Sequence, residues 1–287
     1  MANLKEIRNR ITSIGSTMQI TSAMKMVSAA KLKKAQDAIT AMRPYSSKLT
    51  ELLQNLSATL DSDAGGVYST QREVSKVLMV VVTSNRGLCG GFNSSITKEV
   101  AKTIDTKYAN ATVDLFTIGK KGDVLSKKCE IVDSRNDIFD DLTFDNVAVI
   151  AQKLMDLYAD GTYDKIELVY NQFKNAATQL PQVEQFLPIK PIEGGDADAV
   201  NSDYIFEPSK EEIVEALIPK SLKTQLYKAI RDSFASEHGA RMTAMHKATD
   251  NAKDLRDELL LTYNKARQAA ITNEILEIVG GAEALNN

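Results

Sequence analysis

The hydrophobic pattern of the last third of the chain predicts one long helix. After Pro219 there is no further proline, and only Gly239 interrupts the stretch before the Gly280–Gly281 pair. Apolar and small residues recur there at alternating spacings of three and four, as in a coiled-coil seam. At about 1.5 Å per residue, such a helix is too long to pack wholly inside its own domain and needs a partner. The predicted seam comprises Met245, Ala248, Ala252, Leu255, Leu259, Thr262, Ala266, Ala269, Asn273 and Leu276.

The first sixty residues show the same spacing and supply that partner helix. Its predicted seam comprises Leu4, Ile7, Ile11, Ile14, Met18 and Thr21. Beyond Met18 we expect the seam to shift by one position, to Ile20, Ala23, Val27 and Ala30. With Met24 and Met26 added, the segment 18–30 is apolar on more than one face. That pattern indicates either fuller burial against the partner helix or contact with something outside the chain. We expect Pro44 to kink or shift the helix.

The hydrophobic period changes between these two helices. Short β-branched runs alternate with helical patterns, which indicates a small Rossmann-like α/β domain with a largely parallel sheet. We predict strands at 74–84, 111–119 and 163–173, an edge or hairpin strand at 182–190, and helices at 94–109, 119–128 and 144–160. Ser209, with Glu212 three residues later, forms a predicted capping box at the start of the last helical region.

The predicted fold is therefore mixed α/β. The N- and C-terminal helices, 1–60 and 209–287, form a long antiparallel coiled coil, and the α/β domain, 61–208, is inserted between them. Slender paired helices rich in alanine make a thin, stiff rod, which suits a spacer, a lever or a shaft.

Charge is distributed unevenly along the chain. The formal net charge is −3, but residues 1–60 carry +6, residues 61–208 carry −8 and the remainder carries −1. A basic arm and an acidic middle suggest different partners for different parts of the chain. The two cysteines, Cys89 and Cys129, are too few for a disulfide framework and are expected to be reduced thiols. No apolar run reaches the length that a membrane span needs.

Candidate chemistry is sparse. Gly87, Gly90 and Gly91 follow the first strand but do not match a dinucleotide or phosphate-loop fingerprint, so we interpret them as a tight turn. His238 and His246 lie eight residues apart without a nearby thiol, which argues against a metal site. No nucleophile–histidine–acid set and no aromatic-interleaved basic patch stands out. We therefore expect no catalytic, cofactor or metal site and no nucleic-acid binding.

Three blocks of sequence resemble the gamma subunit of bacterial F-type (rotary) ATP synthases. They are IRNRITSIGSTMQITSAMKMVSAAKLKKA near the start, TSNRGLCGGFN after the first strand, and ASEHGARMTAMHKATDNAKDL with TYNKARQAAITNEILEIVGGAEAL at the end. The resemblance covers the whole chain and includes polar residues outside the seam. The start of the chain, and the lack of a cysteine-bearing insertion of the chloroplast type, are similar to the bacterial members.

The resemblance implies a non-catalytic rotor. In that family the paired helices stand inside a ring of three alpha and three beta subunits, and the α/β domain sits beside epsilon on the membrane c-ring. Proton flow turns the shaft, which drives the beta-subunit catalytic sites through ATP synthesis. The implied location is the cytoplasmic side of the bacterial plasma membrane, with membrane association only through the c-ring.

Individual residues match the family's contact positions. Met24 matches the residue that faces an acidic loop of beta, although the neighbouring Lys25 replaces the acid often found there. Arg267 and Gln268 match residues that engage another beta loop. Tyr204 and Glu207 match residues that touch the c-ring. A structural role is expected for the matching turn residues Gly87, Cys89 and Gly90.

Two other functions remain open from the residues alone. One is a coiled-coil adaptor without a rotary role, which would be expected to self-dimerise through its seams. The other is a flavodoxin-like enzyme with helical appendages, which would need a ligand at the carboxyl ends of the strands, near Asn85–Asn93.

Overall fold

The computed structural model describes residues 4–57, 66–189 and 209–285. The chain divides into two compact units. The coil unit comprises Met1–Ser28 and Met242–Asn287, and the sheet unit comprises Ala29–Arg241. Two long helices, α1 (Leu4–Ser57) and α4 (Lys210–Leu285), contribute residues to both units. The long terminal helices and the central α/β sheet that the sequence predicts are thus confirmed.

The described residues of the sheet unit contain a five-stranded sheet. Its strands are β1 (Lys76–Val82), β2 (Thr112–Ile118), β3 (Ile131–Arg135), β4 (Lys165–Phe173) and β5 (Gln179–Leu187), in the order β3-β2-β1-β4-β5. β1 pairs in parallel with β2 and β4, β2 pairs in parallel with β3, and β5 is antiparallel to β4. The sequence pattern did not predict β3, because this short edge strand, IVDSR, carries three polar residues and lacks a sustained apolar run.

Helices cover both faces of this sheet, as expected for parallel strands that are apolar on both sides. α2 (Phe92–Lys107) packs on one face through Ile96 and Val100. α3 (Phe144–Ala159) and the 218–230 segment of α4 pack on the other face. β1 is fully buried from Val77 to Val82. A 3-10 segment, Lys120–Lys127, occupies the region where the sequence predicts a short helix.

The start of α4 and the prolines of both long helices follow local rules. The backbone N–H of Glu212 donates to Ser209 Oγ at 3.2 Å, so the predicted N-cap is present. Pro219 lies within α4, and Pro44 lies within α1, which continues through it to Ser57. Proline at position 44 therefore does not end the helix.

In the coil unit, α1 and α4 form an antiparallel pair. Thr249 Oγ1 lies 2.8 Å from Thr21 Oγ1, and Arg8 Nη2 donates to Tyr263 Oη at 2.6 Å. Moving from Arg8 forward to Thr21 on α1 corresponds to moving backward from Tyr263 to Thr249 on α4, as the antiparallel prediction requires.

The predicted shift of the α1 seam after Met18 is wrong. Buried and half-buried positions continue in unbroken steps of three and four: Leu4, Ile7, Ile11, Ile14, Met18, Thr21, Lys25 and Ser28. Ile20, Ala23, Val27 and Ala30 are instead exposed. Polar residues can occupy the seam here for two reasons. The hydroxyl of Ser28 donates a hydrogen bond to the backbone carbonyl of Met24 at 2.7 Å. A lysine such as Lys25 can bury its aliphatic stem while its ammonium stays near water.

The α4 seam also departs from the prediction. Its buried and half-buried series is Met242, Met245, Thr249, Ala252, Arg256, Leu259, Tyr263 and Ala266. Leu255 and Thr262, and beyond them Ala269, Asn273 and Leu276, are exposed. Arg256 and Tyr263 take the seam positions because long amphipathic side chains can cover an apolar contact while their polar ends reach out.

Candidate partner-binding surfaces

An outer stripe of α1 carries apolar residues on the exposed side of the coil unit. It comprises Ile20, Ala23, Met26 and Val27, and the three large side chains are 59%, 64% and 57% exposed. The seam beside it is polar at Thr21, Lys25 and Ser28. The usual arrangement of a coiled coil, with apolar residues inside and polar residues outside, is therefore inverted here. Such an inversion favours an outside partner for this stretch.

The α4 helix of the coil unit is also apolar on its exposed surface toward its end. The large exposed residues are Leu255, Leu260, Leu261, Ile271, Ile275, Leu276, Ile278 and Val279. Arg267 and Gln268 lie among them and are themselves exposed. These side chains are available to a partner, because none of them belongs to the seam between α1 and α4.

Met24 lies between the seam and the outer stripe. Its side chain is half-buried, next to seam position Lys25 and one turn before Ser28. The structure therefore places Met24 at the margin of the seam, with part of its surface still accessible. Tyr204 and Glu207, the two residues matched to a c-ring contact, lie outside the described residues.

In the sheet unit, the glycine-rich turn forms the loop Ser84–Gly91 between β1 and α2. Gly90 has a φ of 59°, a left-handed conformation that favours glycine, and Leu88 adopts a similar φ of 61°. Cys89 is buried, and its Sγ accepts a hydrogen bond from Asn93 Nδ2 at 3.2 Å. Gly87 lies in the middle of the loop, and a Cβ added to it would lie 4.0 Å from Lys121 Cε.

The carboxyl edge of the sheet, where a flavodoxin-like enzyme would bind its ligand, is occupied by α4. The change of winding direction lies between β1 and β4, the usual position of the ligand crevice. Ser236 donates to Asn171 O at 3.0 Å, and Gly239 is so close to Ala176 that a Cβ would lie 3.2 Å from its Cα. Ala240 packs with Cys89 and Phe92. A helix of the same chain thus takes the place that a ligand would need.

Two further findings concern the described parts of the chain. No group of three or more histidine, cysteine, aspartate or glutamate residues there is arranged to hold a metal ion. None of the helices in those parts combines the length and the apolar character that crossing a bilayer requires.

Comparisons with known proteins agree with this architecture. A family model described as ATP synthase matches residues 3–285. The chain is 74% identical to the ATP synthase gamma chain of Flavobacterium psychrophilum over 99% of both chains. It is also 74% identical to the ATP synthase gamma chain of Flavobacterium johnsoniae over the full length of both.

Chains with a similar fold occur in two solved structures of ATP synthases. The central stalk and c-ring structure of the Tetrahymena thermophila mitochondrial ATP synthase contains a chain that is 27% identical, with a TM-score of 0.60, covering 80% of this chain and 99% of that one. A chain from the rotor of the Euglena gracilis mitochondrial ATP synthase has a TM-score of 0.68 at 21% identity, covers 93% of this chain and 98% of that one, and shows the shared fold.

Proposed function

Since this chain belongs to the ATP synthase gamma chain family, we propose that it is the central-stalk rotor of a bacterial F-type ATP synthase. Its role is to couple proton flow through the membrane c-ring to the conformational cycle of the catalytic beta subunits. The chain itself is non-catalytic, because nucleotide binding and ATP synthesis take place on the alpha and beta subunits.

The proposed assembly contains one copy of this chain for three alpha and three beta subunits, together with epsilon and the c-ring. The coiled coil of the terminal helices (1–60 and 209–287) forms the shaft, and the α/β domain (61–208) forms the foot. The chain lies on the cytoplasmic side of the plasma membrane and reaches the membrane only through the c-ring.

The observation that carries this proposal is the inverted polarity of α1 between Ile20 and Ser28. A helix pair that stood free in water would gain stability by placing Ile20, Met26 and Val27 in the seam. Covering such side chains contributes about 1.5–3 kcal/mol for each one fully buried. A shaft enclosed by a ring of other subunits gains this energy on assembly, whereas a free rod does not.

The proposed contact residues are those that the resemblance to the family implies. Met24, at the margin of the outer stripe, faces an acidic beta loop, and the +6 charge of residues 1–60 complements that loop. Arg267 and Gln268, both exposed on α4, engage a second beta loop. Tyr204 and Glu207 contact the c-ring, and the turn residues Gly87, Cys89 and Gly90 have a structural role in the sheet unit.

The rotor proposal is tested by reconstitution from purified subunits. This chain is mixed with alpha and beta subunits from the same source, and ATP hydrolysis is measured together with the stoichiometry of the eluted complex. The expected result is strong hydrolysis only in the mixture, at one copy per three alpha–beta pairs. Absence of both co-elution and activity would contradict the proposal.

The coiled-coil adaptor is the second candidate, and the same mixture distinguishes it. An adaptor would elute as a self-dimer and would leave the hydrolysis rate of alpha and beta unchanged. The rotor is expected to elute alone as a monomer, because its seams are already occupied within one chain, as the Thr21–Thr249 and Arg8–Tyr263 contacts indicate.

A further inference from the structure

A buried arginine of α4 contacts the middle of the loop Ser84–Gly91 in the sheet unit. The contacted residues are Arg86 and Gly87, and we call them the crest of the loop. Arg241 Nη2 donates to the backbone carbonyl of Arg86 at 3.0 Å and lies 3.4 Å from that of Gly87. Its Nη1 donates to Glu237 Oε1 at 2.6 Å, one turn earlier on the same helix. The planar guanidinium thus joins a carboxylate of α4 to two consecutive carbonyls of the loop, which suits the fixed fork of its donors.

Glu237, which binds Arg241, is itself buried. Burial raises the pKa of Glu237, and the charges of Arg241, Lys31 and Arg86 oppose that rise. The charges of Lys31 on α1 and of Arg86 in the loop thus favour the ionised carboxylate, as the bonded Arg241 does. Both members of the ion pair are buried, so removing one alone leaves an uncompensated charge in the interior.

The residues that follow these two carbonyls adopt an unusual backbone conformation. Leu88 has a positive φ although it is not glycine, which costs energy that the surroundings must supply. Its side chain points outward and is 67% exposed, whereas the next residue, Cys89, is 2% exposed. The two ends of the loop are held by α2, since Ser84 N and Cys89 Sγ both bond to the side chain of Asn93.

We propose that Arg241 is a positioning residue that holds the crest of this loop in its closed conformation from α4. Its hydrogen bonds fix the carbonyls of Arg86 and Gly87, which keeps Leu88 outward and Cys89 covered. Ser84 Oγ also donates to the Arg86 carbonyl, but that bond comes from within the loop and does not connect it to α4. The conformation of the loop is thereby tied to the position of one turn of α4. This inference concerns the free chain and does not rest on the proposed rotor function.

The rate at which the Cys89 thiol reacts reports how often the loop opens, because Cys89 is buried while the loop is closed. The full-length chain is treated with iodoacetamide under native conditions, and the alkylation rates of Cys89 and Cys129 are followed by peptide mass analysis. In Arg241→Ala we expect the Cys89 rate to rise about tenfold or more, since local opening sets the access to a buried thiol. The Cys129 rate should stay at its wild-type value.

Matched variants separate loop opening from loss of folding. Arg231→Ala is the control, because Arg231 also lies on α4 and also donates to a loop carbonyl, that of Leu142, at 2.6 Å. It should leave the Cys89 rate unchanged. The double variant Glu237→Gln with Arg241→Met removes the loop contacts without leaving a buried charge, so it keeps the test valid if Arg241→Ala does not fold.

Two results would overturn the inference. One is a Cys89 rate that stays at the wild-type value in the folded double variant or in Arg241→Ala. The other is an equal rise at Cys89 and Cys129, because that would report general unfolding and not a loop held by Arg241.

Discussion

The sheet unit and the coil unit treat their apolar residues in opposite ways. In the sheet unit, every residue of β1 from Val77 to Val82 is buried within the unit itself. In the coil unit, Ile20 and Val27 are exposed while Ser28 is buried and Thr21 is half-buried. The sheet of this unit therefore buries its own apolar residues, whereas the coil unit leaves apolar residues exposed beside a polar seam. Apolar residues that no intramolecular packing explains indicate where a partner binds.

The largest expected difference comes from removing the same side chain in each unit. Ile118 of β2 is fully buried and Ile20 is 59% exposed. Ile118→Ala should lower the free energy of unfolding by about 2–5 kcal/mol, because it leaves a cavity in a packed core. Ile20→Ala should change it by about 0.5 kcal/mol or less. Urea unfolding of both variants of the free chain measures this, and similar losses would contradict the contrast between the units.

The histidine of the sheet unit should make the free energy of unfolding depend on pH. Burial lowers the pKa of His238 in the sheet unit to about 3, and the charges of Arg241 and Lys31 act in the same direction. The unfolded chain binds this proton below pH 6.5 and the folded chain does not. His238 therefore favours folding above pH 6.5, and that contribution is lost as the pH falls toward 3. Between pH 7 and pH 5 the loss should be about 2 kcal/mol.

The measurement compares urea unfolding at pH 7 and pH 5 in the wild type, in His238→Gln and in His246→Gln. His246 lies exposed in the coil unit and serves as the control. The pH-dependent loss should shrink in His238→Gln and persist in His246→Gln. A wild-type loss that persists in His238→Gln would show that His238 is not its source.

Glycine-to-alanine substitutions should have opposite signs in the two units. A Cβ at Gly15 of α1 would meet nothing within 4 Å, whereas one at Gly239 of α4 would lie 3.2 Å from Ala176 Cα. Gly15→Ala should stabilise the chain by about 0.5–1 kcal/mol through helix propensity. Gly239→Ala should destabilise it by about 1–3 kcal/mol through overpacking. Thermal unfolding monitored by circular dichroism gives both signs, and a stabilised Gly239→Ala would show that the contact is looser than described.

The smallest effect concerns an exposed residue of the coil unit. Arg267→Ala should leave the melting temperature of the free chain unchanged, because surface substitutions usually cost about 0.5 kcal/mol or less. In the complex with alpha and beta it should lower the melting temperature, since the proposed contact is lost. Lys265→Ala, also exposed and two residues away, is the control and should change neither. Equal shifts of Arg267→Ala in the free chain and in the complex would exclude a beta contact.

How far the sequence predicts the structure also differs between the units. In the sheet unit, the run VSKVLMVVVTS contains the continuous apolar stretch VLMVVV, so β1 follows directly from the pattern. Among the strands of the described residues, the short polar edge strand β3 is the one that is missed. In the coil unit, apolar residues occur on two faces of α1, and the pattern alone does not tell which face is the seam. The seam follows Lys25 and Ser28, which a hydrophobicity criterion rejects, and leaves out Ile20 and Val27.

The candidate contact residues follow a different logic. Met24, Arg267 and Gln268 come from resemblance to a family and not from the physics of the chain, because a contact outside the chain leaves no packing constraint inside it. The inverted polarity of α1 is a physical signal of such a contact, and the inversion becomes visible only when the seam is known. The role of Arg241, in contrast, gave no sequence signal, since its partners in the loop are backbone carbonyls more than 150 residues away in the chain.

The most direct test of the difference between the units is hydroxyl-radical footprinting of methionines in the free chain and in the complex with alpha and beta. Met26 of the outer stripe is 64% exposed, and Met79 and Met155 of the sheet unit are fully buried. We expect Met26 to be oxidised rapidly in the free chain and protected in the complex, while Met79 and Met155 stay protected in both. Equal oxidation of Met26 in the two states would contradict the claim that a partner covers the apolar surface of the coil unit.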